Sequence, residues 1–377
     1  MESTGVKTKR NANMELLRLI SMCMVVMLHG LWKGDNLKDL SVSFTLTDCT
    51  AWLLECLSVV AVNLFILTSG YFLCRSKFKL ERLIELVCQV LFFTIGTFAV
   101  SAVFKVGELK EFGIYELVKT VFPIHSGVYW FVTAYVAVYL LSPLLNKGIS
   151  MLKKDGLGIV IICLVIYESL FKSLLPIRFE NDEKGYGILW FIIVYLIGAY
   201  LRNYGFKHLS SPGRGLALYF AGVALMFIEI VGIQHMVGFT GRLSEIKNIP
   251  LEYNHILNIM AAVGLFSFFV NSKPMGEKAS GIVLRLSPMA LGIYLLHESP
   301  AFRYTWQQLL GIKDITGLAM PLFLVRVLLA VLIVVIAGLC VDFVRLKLFS
   351  LCAKFLRKTK CCAKILKINE KVNSLNE

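Results

Sequence analysis

Runs of about 15 to 25 apolar residues recur along the whole chain, separated by short stretches rich in Lys, Arg, Gly, Pro and Asn. About 20 apolar residues in a helix cross the hydrocarbon core of a bilayer. The runs lie near 14–32, 50–74, 83–104, 127–146, 157–174, 188–201, 215–233, 254–271, 282–300 and 319–343, and they predict about ten transmembrane helices. Strands of an outer-membrane barrel alternate apolar with polar residues, so runs that are apolar throughout exclude that architecture. The expected fold is an all-α, polytopic integral membrane protein, with a transmembrane domain over 1–345 and a basic tail over 346–377.

Two stretches outside the runs read as amphipathic helices. From about 344 onward the tail interleaves Lys and Arg with Leu, Phe and Ile, which suits a helix held against anionic lipid. Residues 108–121 place Leu109, Phe112, Tyr115, Leu117 and Val118 among Glu and Lys, in the manner of an interfacial helix. The first run follows Lys7, Lys9 and Arg10 as a signal peptide would. Its interior Arg18 and the lack of a small-residue cleavage site after Trp32 favour a retained signal-anchor.

Composition narrows the class. Hydrophobic residues make up 57% of the chain and charged ones 17%, with mean hydropathy +0.72. That is too little polar surface for a soluble enzyme, a secreted disulfide scaffold or a disordered protein. The net charge of +14 raises the question of nucleic acid, and its distribution answers it. With the N-terminus and every second loop on the cytoplasmic side, about 25 Lys and Arg fall inside and about 12 outside. Positive-inside bias accounts for the basic balance, both termini are expected in the cytoplasm, and no nucleic-acid partner is expected. Of the ten cysteines, Cys23, Cys56, Cys88, Cys163 and Cys340 lie in apolar runs and Cys352, Cys361 and Cys362 in the tail. No CxxC or Cys/His spacing of a zinc site occurs, so no metal is expected.

Ionisable residues inside spans are costly and mark functional pathways. In the first span Glu15 and Arg18 precede His29. Eleven residues at about 100° each bring Arg18 and His29 onto one stripe, about 16 Å apart along the axis. The alternative reading has Arg18 only pairing with Glu15 one turn away and reaching the headgroups, with His29 merely interfacial. Further candidates are Glu55, Glu168, Glu229, Arg326 and the pair His297-Glu298, which ends a span just before Pro300. Absent are a Walker A or GxGxxG loop, HExxH, a GxSxG elbow and the HxxxxD pair of glycerolipid acyltransferases, His29 to Asp35 being one residue too long.

Arg18-x10-His29, preceded by Arg10 and with Glu15 where L-D-x-L-R usually has Asp, resembles the opening of the membrane acyltransferase 3 family. Val62-Asn63-Leu64-Phe65-Ile66-Leu67-Thr68-Ser69-Gly70-Tyr71 is similar to the family's V-D-L-F-F-x-x-S-G-Y, with Asn63 in place of the acid. Tyr129-Trp130-Phe131 with Tyr135, Tyr139 and Pro143 resembles its H-x-W-F motif. Tyr195-x-x-Gly198 and Tyr294-x-x-His297 complete a likeness over about residues 10 to 345.

This resemblance implies transfer of an acyl group, usually acetyl, from cytoplasmic acetyl-CoA or another acyl-CoA to a hydroxyl of a cell-surface glycan or lipid-linked sugar. Acyl-CoA is then a donor substrate, and no permanently bound cofactor is expected. His29 is the expected general base, or less directly an acyl acceptor, since a hydroxyl attacks only as a base takes its proton. Arg18, with Glu15 beside it, is expected to meet the donor's phosphates, and Arg75 is a second donor-binding candidate. Ser69, Trp130, Tyr294, His297 and Glu298 are candidates for either substrate contact or structure: Ser69-Gly70 suits a close helix contact, and Trp130 an aromatic belt. A transporter or flippase of a small solute or lipid-linked sugar is the competing class, because many spans around a polar interior also suit alternating access. No soluble domain is seen between the spans, so the acyl group is expected to reach its acceptor directly or through a separate partner in the plasma membrane.

The charge bias generates a topology test. Reporter fusions after residue 75 and after residue 180 should report the cytoplasmic and the external side respectively. A common side for both would overturn the assignment.

Overall fold

The computed structural model describes residues 10–107, 113–175, 182–242, 244–356 and 360–374, without the side chains of 352–363. Lys7, Lys9, Leu109, Phe112, residue 180 and the thiols of Cys352, Cys361 and Cys362, all used above, lie outside the described residues.

Among the described residues fifteen α-helices follow one another: α1 (Ala12–Trp32), α2 (Leu46–Ser58), α3 (Ala61–Leu73), α4 (Leu80–Phe104), α5 (Ile114–Val121), α6 (Trp130–Val165), α7 (Phe171–Leu174), α8 (Ile188–Asn203), α9 (Pro212–Thr240), α10 (Ile256–Asn271), α11 (Glu277–Leu286), α12 (Ala290–His297), α13 (Trp306–Leu309), α14 (Met320–Leu356) and α15 (Lys360–Asn373). No strand occurs among the described residues. Local chemistry sets several boundaries. Asn11 caps α1 by accepting from the N–H groups of Asn13 and Met14 at 3.0 and 3.3 Å. Thr45 and Asp48 form a capping box that opens α2. Pro212 begins α9, and Gly241, in the left-handed region at φ 66°, ends it.

The protein is an all-α, polytopic membrane protein. Eight described stretches are long and apolar enough to cross a membrane: Ala12–Trp32, Leu46–Leu73, Leu80–Phe104, Trp130–Leu174, Pro212–Thr240, Ser244–Asn271, Glu277–His297 and Met320–Leu351, with Ile188–Asn203 a shorter apolar helix. The runs expected at 127–146 and 157–174 both fall in the 45-residue stretch Trp130–Leu174, where they form two helical segments separated by a kink at Lys153, whose φ 54° and ψ −163° are not helical. That stretch doubles back. Trp130 stacks on Tyr253 with centroids 5.7 Å apart, and Lys172 donates to Asn254 at 2.9 Å. In a straight helix those two residues would be about 63 Å apart. The expected run at 50–74 starts earlier, at Leu46, and is broken at Val59–Val60. The one at 282–300 spans Glu277–His297 and is broken at Ser287-Pro288-Met289, where Pro cannot continue a helix. The amphipathic helix expected over 108–121 is described as α5, with Tyr115, Leu117 and Val118 exposed.

Backbone contact between α3 and α8 fixes the centre of the bundle. A Cβ on Gly70 would lie 2.2 Å from the Tyr195 carbonyl oxygen, and one on Gly198 would lie 2.4 Å from that of Leu67. Without a hydrophobic force between helices in lipid, such close approach is what holds them together. The S-G-Y and Y-x-x-G motifs are therefore two halves of one crossing. About two turns nearer the start of α3, Asn63, 1% exposed, donates to the Tyr253 carbonyl at 2.8 Å and to Asn258 at 3.0 Å and accepts from the Trp190 indole at 2.9 Å. An amide can do both, and a carboxylate cannot donate.

In loops outside the spans, burial raises the Asp182 carboxyl, but hydrogen bonds from Lys172 and Asn254 outweigh it and leave the group below its usual value. The Lys172 ammonium is also bonded to Glu252, so the end of the doubled-back stretch is pinned both to Asp182 in the loop before α8 and to Glu252 in the loop before α10.

Gly70→Val should collapse the central crossing. Purified or membrane-extracted variant is expected to show a strongly lowered melting temperature and little monodisperse protein. Gly96→Ala, at a site with nothing within 4 Å, should melt at or slightly above the wild-type temperature. Equal stability of both variants would contradict the crossing.

Candidate functional site

A cavity of about 930 Å³ follows α1 from one end of the bundle to the other. The periodicity of α1 explains why it does: Glu15, Arg18, Met22, Val25 and His29 return every three or four residues to the same face, and all of them line the cavity.

One end is a ring of guanidinium groups. Arg10 and Arg18 of the α1 region, Arg75 after α3, Arg82 of α4 and Arg202 of α8 line it, with Glu15 the one acid among the lining residues. Glu15 holds Arg10 at 2.9 Å and Arg18 at 3.3 Å. Arg10 also donates to the Ser287 hydroxyl at 3.1 Å, tying the chain before α1 to the break between α11 and α12. Arg75 donates to Asn203 at 2.9 Å and Arg202 to the Tyr71 hydroxyl at 3.2 Å. The ring thus keeps an excess of about four positive charges facing the cavity. Near this mouth burial pushes the Cys74 thiol up to about 11, against Arg75 and Arg202, so it stays protonated at neutral pH and is a poor nucleophile.

The other end is built on His29. Its Nδ1 lies 3.0 Å from Nε2 of His297 and 3.1 Å from Oε1 of Glu298. His297 is 2% exposed and its own Nδ1 is 2.6 Å from the Ile293 carbonyl, an acceptor only, so Nδ1 carries the proton and Nε2 presents a lone pair. His29 Nδ1 must therefore be the donor in the shared bond to His297 and Glu298. The network assigns His29 the tautomer whose basic nitrogen is Nε2, on a ring that lines the cavity. Lys33, one turn beyond His29, holds Glu298 at 2.5 and 2.6 Å. The Gln307 amide donates to the His29 carbonyl at 3.2 Å, and Arg303 donates to the Glu298 carbonyl at 2.9 Å. His29, His297 and Glu298 each offer a ligand atom within 4.8 Å of the others and could hold a metal ion, a grouping that sequence spacing missed. The Lys33 ammonium already supplies the cation beside that carboxylate.

Aromatic rings line the passage near His29. Trp130 packs on Tyr186 at 4.4 Å and on Tyr253 at 5.7 Å, and Tyr294 lies 5.6 Å from Tyr129 and 6.1 Å from His297. Ser69 faces the cavity, with its hydroxyl donating to the Phe65 carbonyl at 2.8 Å.

Of the residues singled out from sequence, Glu15, Arg18, His29, Ser69, Arg75, Trp130 and Tyr294 share this cavity, and His297 and Glu298 back His29. The pairing of Arg18 with Glu15 and its place on the cavity wall are both observed, so these readings are not exclusive. Glu55, Glu168, Glu229 and Arg326 do not line it: Glu55 is buried in α2, Glu229 lies 3.5 Å from His255, Glu168 sits in a π-helical turn, and Arg326 is exposed on α14. Sequence reasoning missed Lys33, Arg82, Arg202, Tyr253 and Gln307. Only Lys33 carried a local signal, four residues after His29 on the same helical face.

The model of a family described as an acyltransferase domain, acyltransferase 3, matches residues 11–341. No curated protein and no solved structure matches the chain.

Proposed function

The chain belongs to the acyltransferase 3 family, and from that premise we propose that it transfers an acyl group, acetyl in the first instance, from acyl-CoA to a hydroxyl of a cell-surface polysaccharide or its lipid-linked precursor. The observation that carries this reading is a single cavity joining an arginine ring to a histidine of fixed tautomer.

Coenzyme A brings about four negative charges at neutral pH in its pyrophosphate and 3′-phosphate, a match for the excess at the ring. Guanidinium forks suit phosphate oxygens. With the phosphates there, the pantetheine arm would follow α1 toward His29, past apolar side chains such as Val25 and Leu28. In the reaction the acceptor oxygen attacks the thioester carbonyl carbon as its proton passes to His29 Nε2. The tetrahedral intermediate collapses, the C–S bond breaks, and the thiolate takes the proton back from His29. Glu298 lies against Nδ1 throughout and stabilises the transient imidazolium, while Lys33 keeps that carboxylate from standing as an unpaired buried charge. The mouth faces the cytoplasm in the proposed topology, in agreement with a cytoplasmic donor.

Two variants test the two ends separately. Arg18→Ala should weaken coenzyme A binding to the purified protein by about tenfold, and unchanged affinity in folded variant would leave Arg18 only its pairing with Glu15. A general base contributes about 10² to 10⁴-fold. His29→Ala should therefore lose nearly all glycan acetylation while still binding coenzyme A. His29→Gln should not rescue it, since an amide does not accept the proton. Near wild-type acetylation by His29→Gln at normal membrane content would falsify the general-base role.

A further inference from the structure

The turn between α3 and α4 carries Arg75 and leads into Arg82, two of the ring's guanidinium groups. Three successive backbone positions in it are gripped by side chains from distant elements. The Asn373 amide brackets Phe78, accepting from its N–H at 2.8 Å and donating to its carbonyl at 3.1 Å. The Tyr139 hydroxyl brackets Lys79 in the same way, at 3.2 and 2.9 Å. Asn369 accepts from the Leu80 N–H at 2.8 Å and donates to Glu81 at 2.7 Å. Lys79, at the N-cap of α4, provides no side-chain cap, so Asn369 supplies it from 289 residues away. Asn369 and Asn373 stand one turn apart on α15, on one face.

We propose that α15 is a clamp on the donor mouth: Asn369 and Asn373 are positioning residues that hold the 75–82 turn so that Arg82 and Arg75 meet the phosphates of acyl-CoA. The proposal rests on the reading of the arginine ring as the donor site. An unclamped turn would have to be ordered on each binding event, at a cost in affinity.

Coenzyme A binding to full-length purified protein is the readout. Asn369→Ala/Asn373→Ala should bind about tenfold more weakly, and adding Arg82→Ala should cost less than it does in the wild type, because the clamp acts through Arg82. Asn369→Asp sets a second carboxylate against Glu81 and should reproduce the loss. Adding Glu81→Gln restores a donor–acceptor pair and should recover the affinity, a rescue that a contact serving stability alone would not show. Affinity within twofold of wild type in the double Ala variant, or full additivity with Arg82→Ala, overturns the proposal. If that variant does not fold, the Asn369→Asp and Glu81→Gln pair decides by the same criterion. Failure of wild-type protein to bind coenzyme A overturns the donor reading itself.

Discussion

Inside a bilayer a charge has no water to turn to, so every ionisable group on α1 must find its partner within the chain. The helix meets this demand twice by the same device: one carboxylate shared between two basic groups. Glu15 serves Arg10 and Arg18, and Glu298 serves Lys33 and His29. At the first end the surplus is a fixed positive charge, joined by three more arginines from other elements. At the second the surplus is an imidazole, and its ring lines the cavity. The difference between a cationic mouth and an end built on an imidazole thus comes from which basic residue shares the carboxylate.

Much of this was legible in sequence because it is periodic or compositional. Each apolar run overlaps a helix, although the runs at 215–233 and 319–343 stop short of helices that continue to Thr240 and Leu356, and the eleven-residue spacing put Arg18 and His29 on one stripe without knowledge of any partner. The stretch Trp130–Leu174 leaves the helix at Lys153, a place marked by the polar interval between the runs at 127–146 and 157–174. Its doubled-back path agrees with the two passes expected there.

What sequence could not supply is pairing across long intervals. His297 was weighed as a bundle hydrogen bond or a site, and it is a hydrogen-bond partner of the site's own histidine. That bond joins residues 268 positions apart, and no local rule selects one histidine for another. Asn63 looked like a departure from an acidic position. Its amide instead donates twice and accepts once among Tyr253, Asn258 and Trp190, a role defined wholly by neighbours from α8 and the α10 region. Arg82 and Arg202 were counted among basic residues of the inner loops, and only the folding of those loops around α1 distinguishes them from lysines that face solvent.

The reliance of α1 on late partners has a consequence for how the protein is made. Ser272, Lys273, Ser287, His297 and Glu298, which bond to α1 or to the residues flanking it, are each translated more than 250 residues after the residue they bond to. At about 5 to 20 residues per second, the first helix waits on the order of 15 to 50 seconds for them. Over that interval Arg18 has only Glu15, and His29 and Lys33 have no Glu298. The helix that carries Arg18 and His29 is synthesised long before the partners that complete it, which makes its nascent form a natural client for the factors that shelter polar segments during insertion.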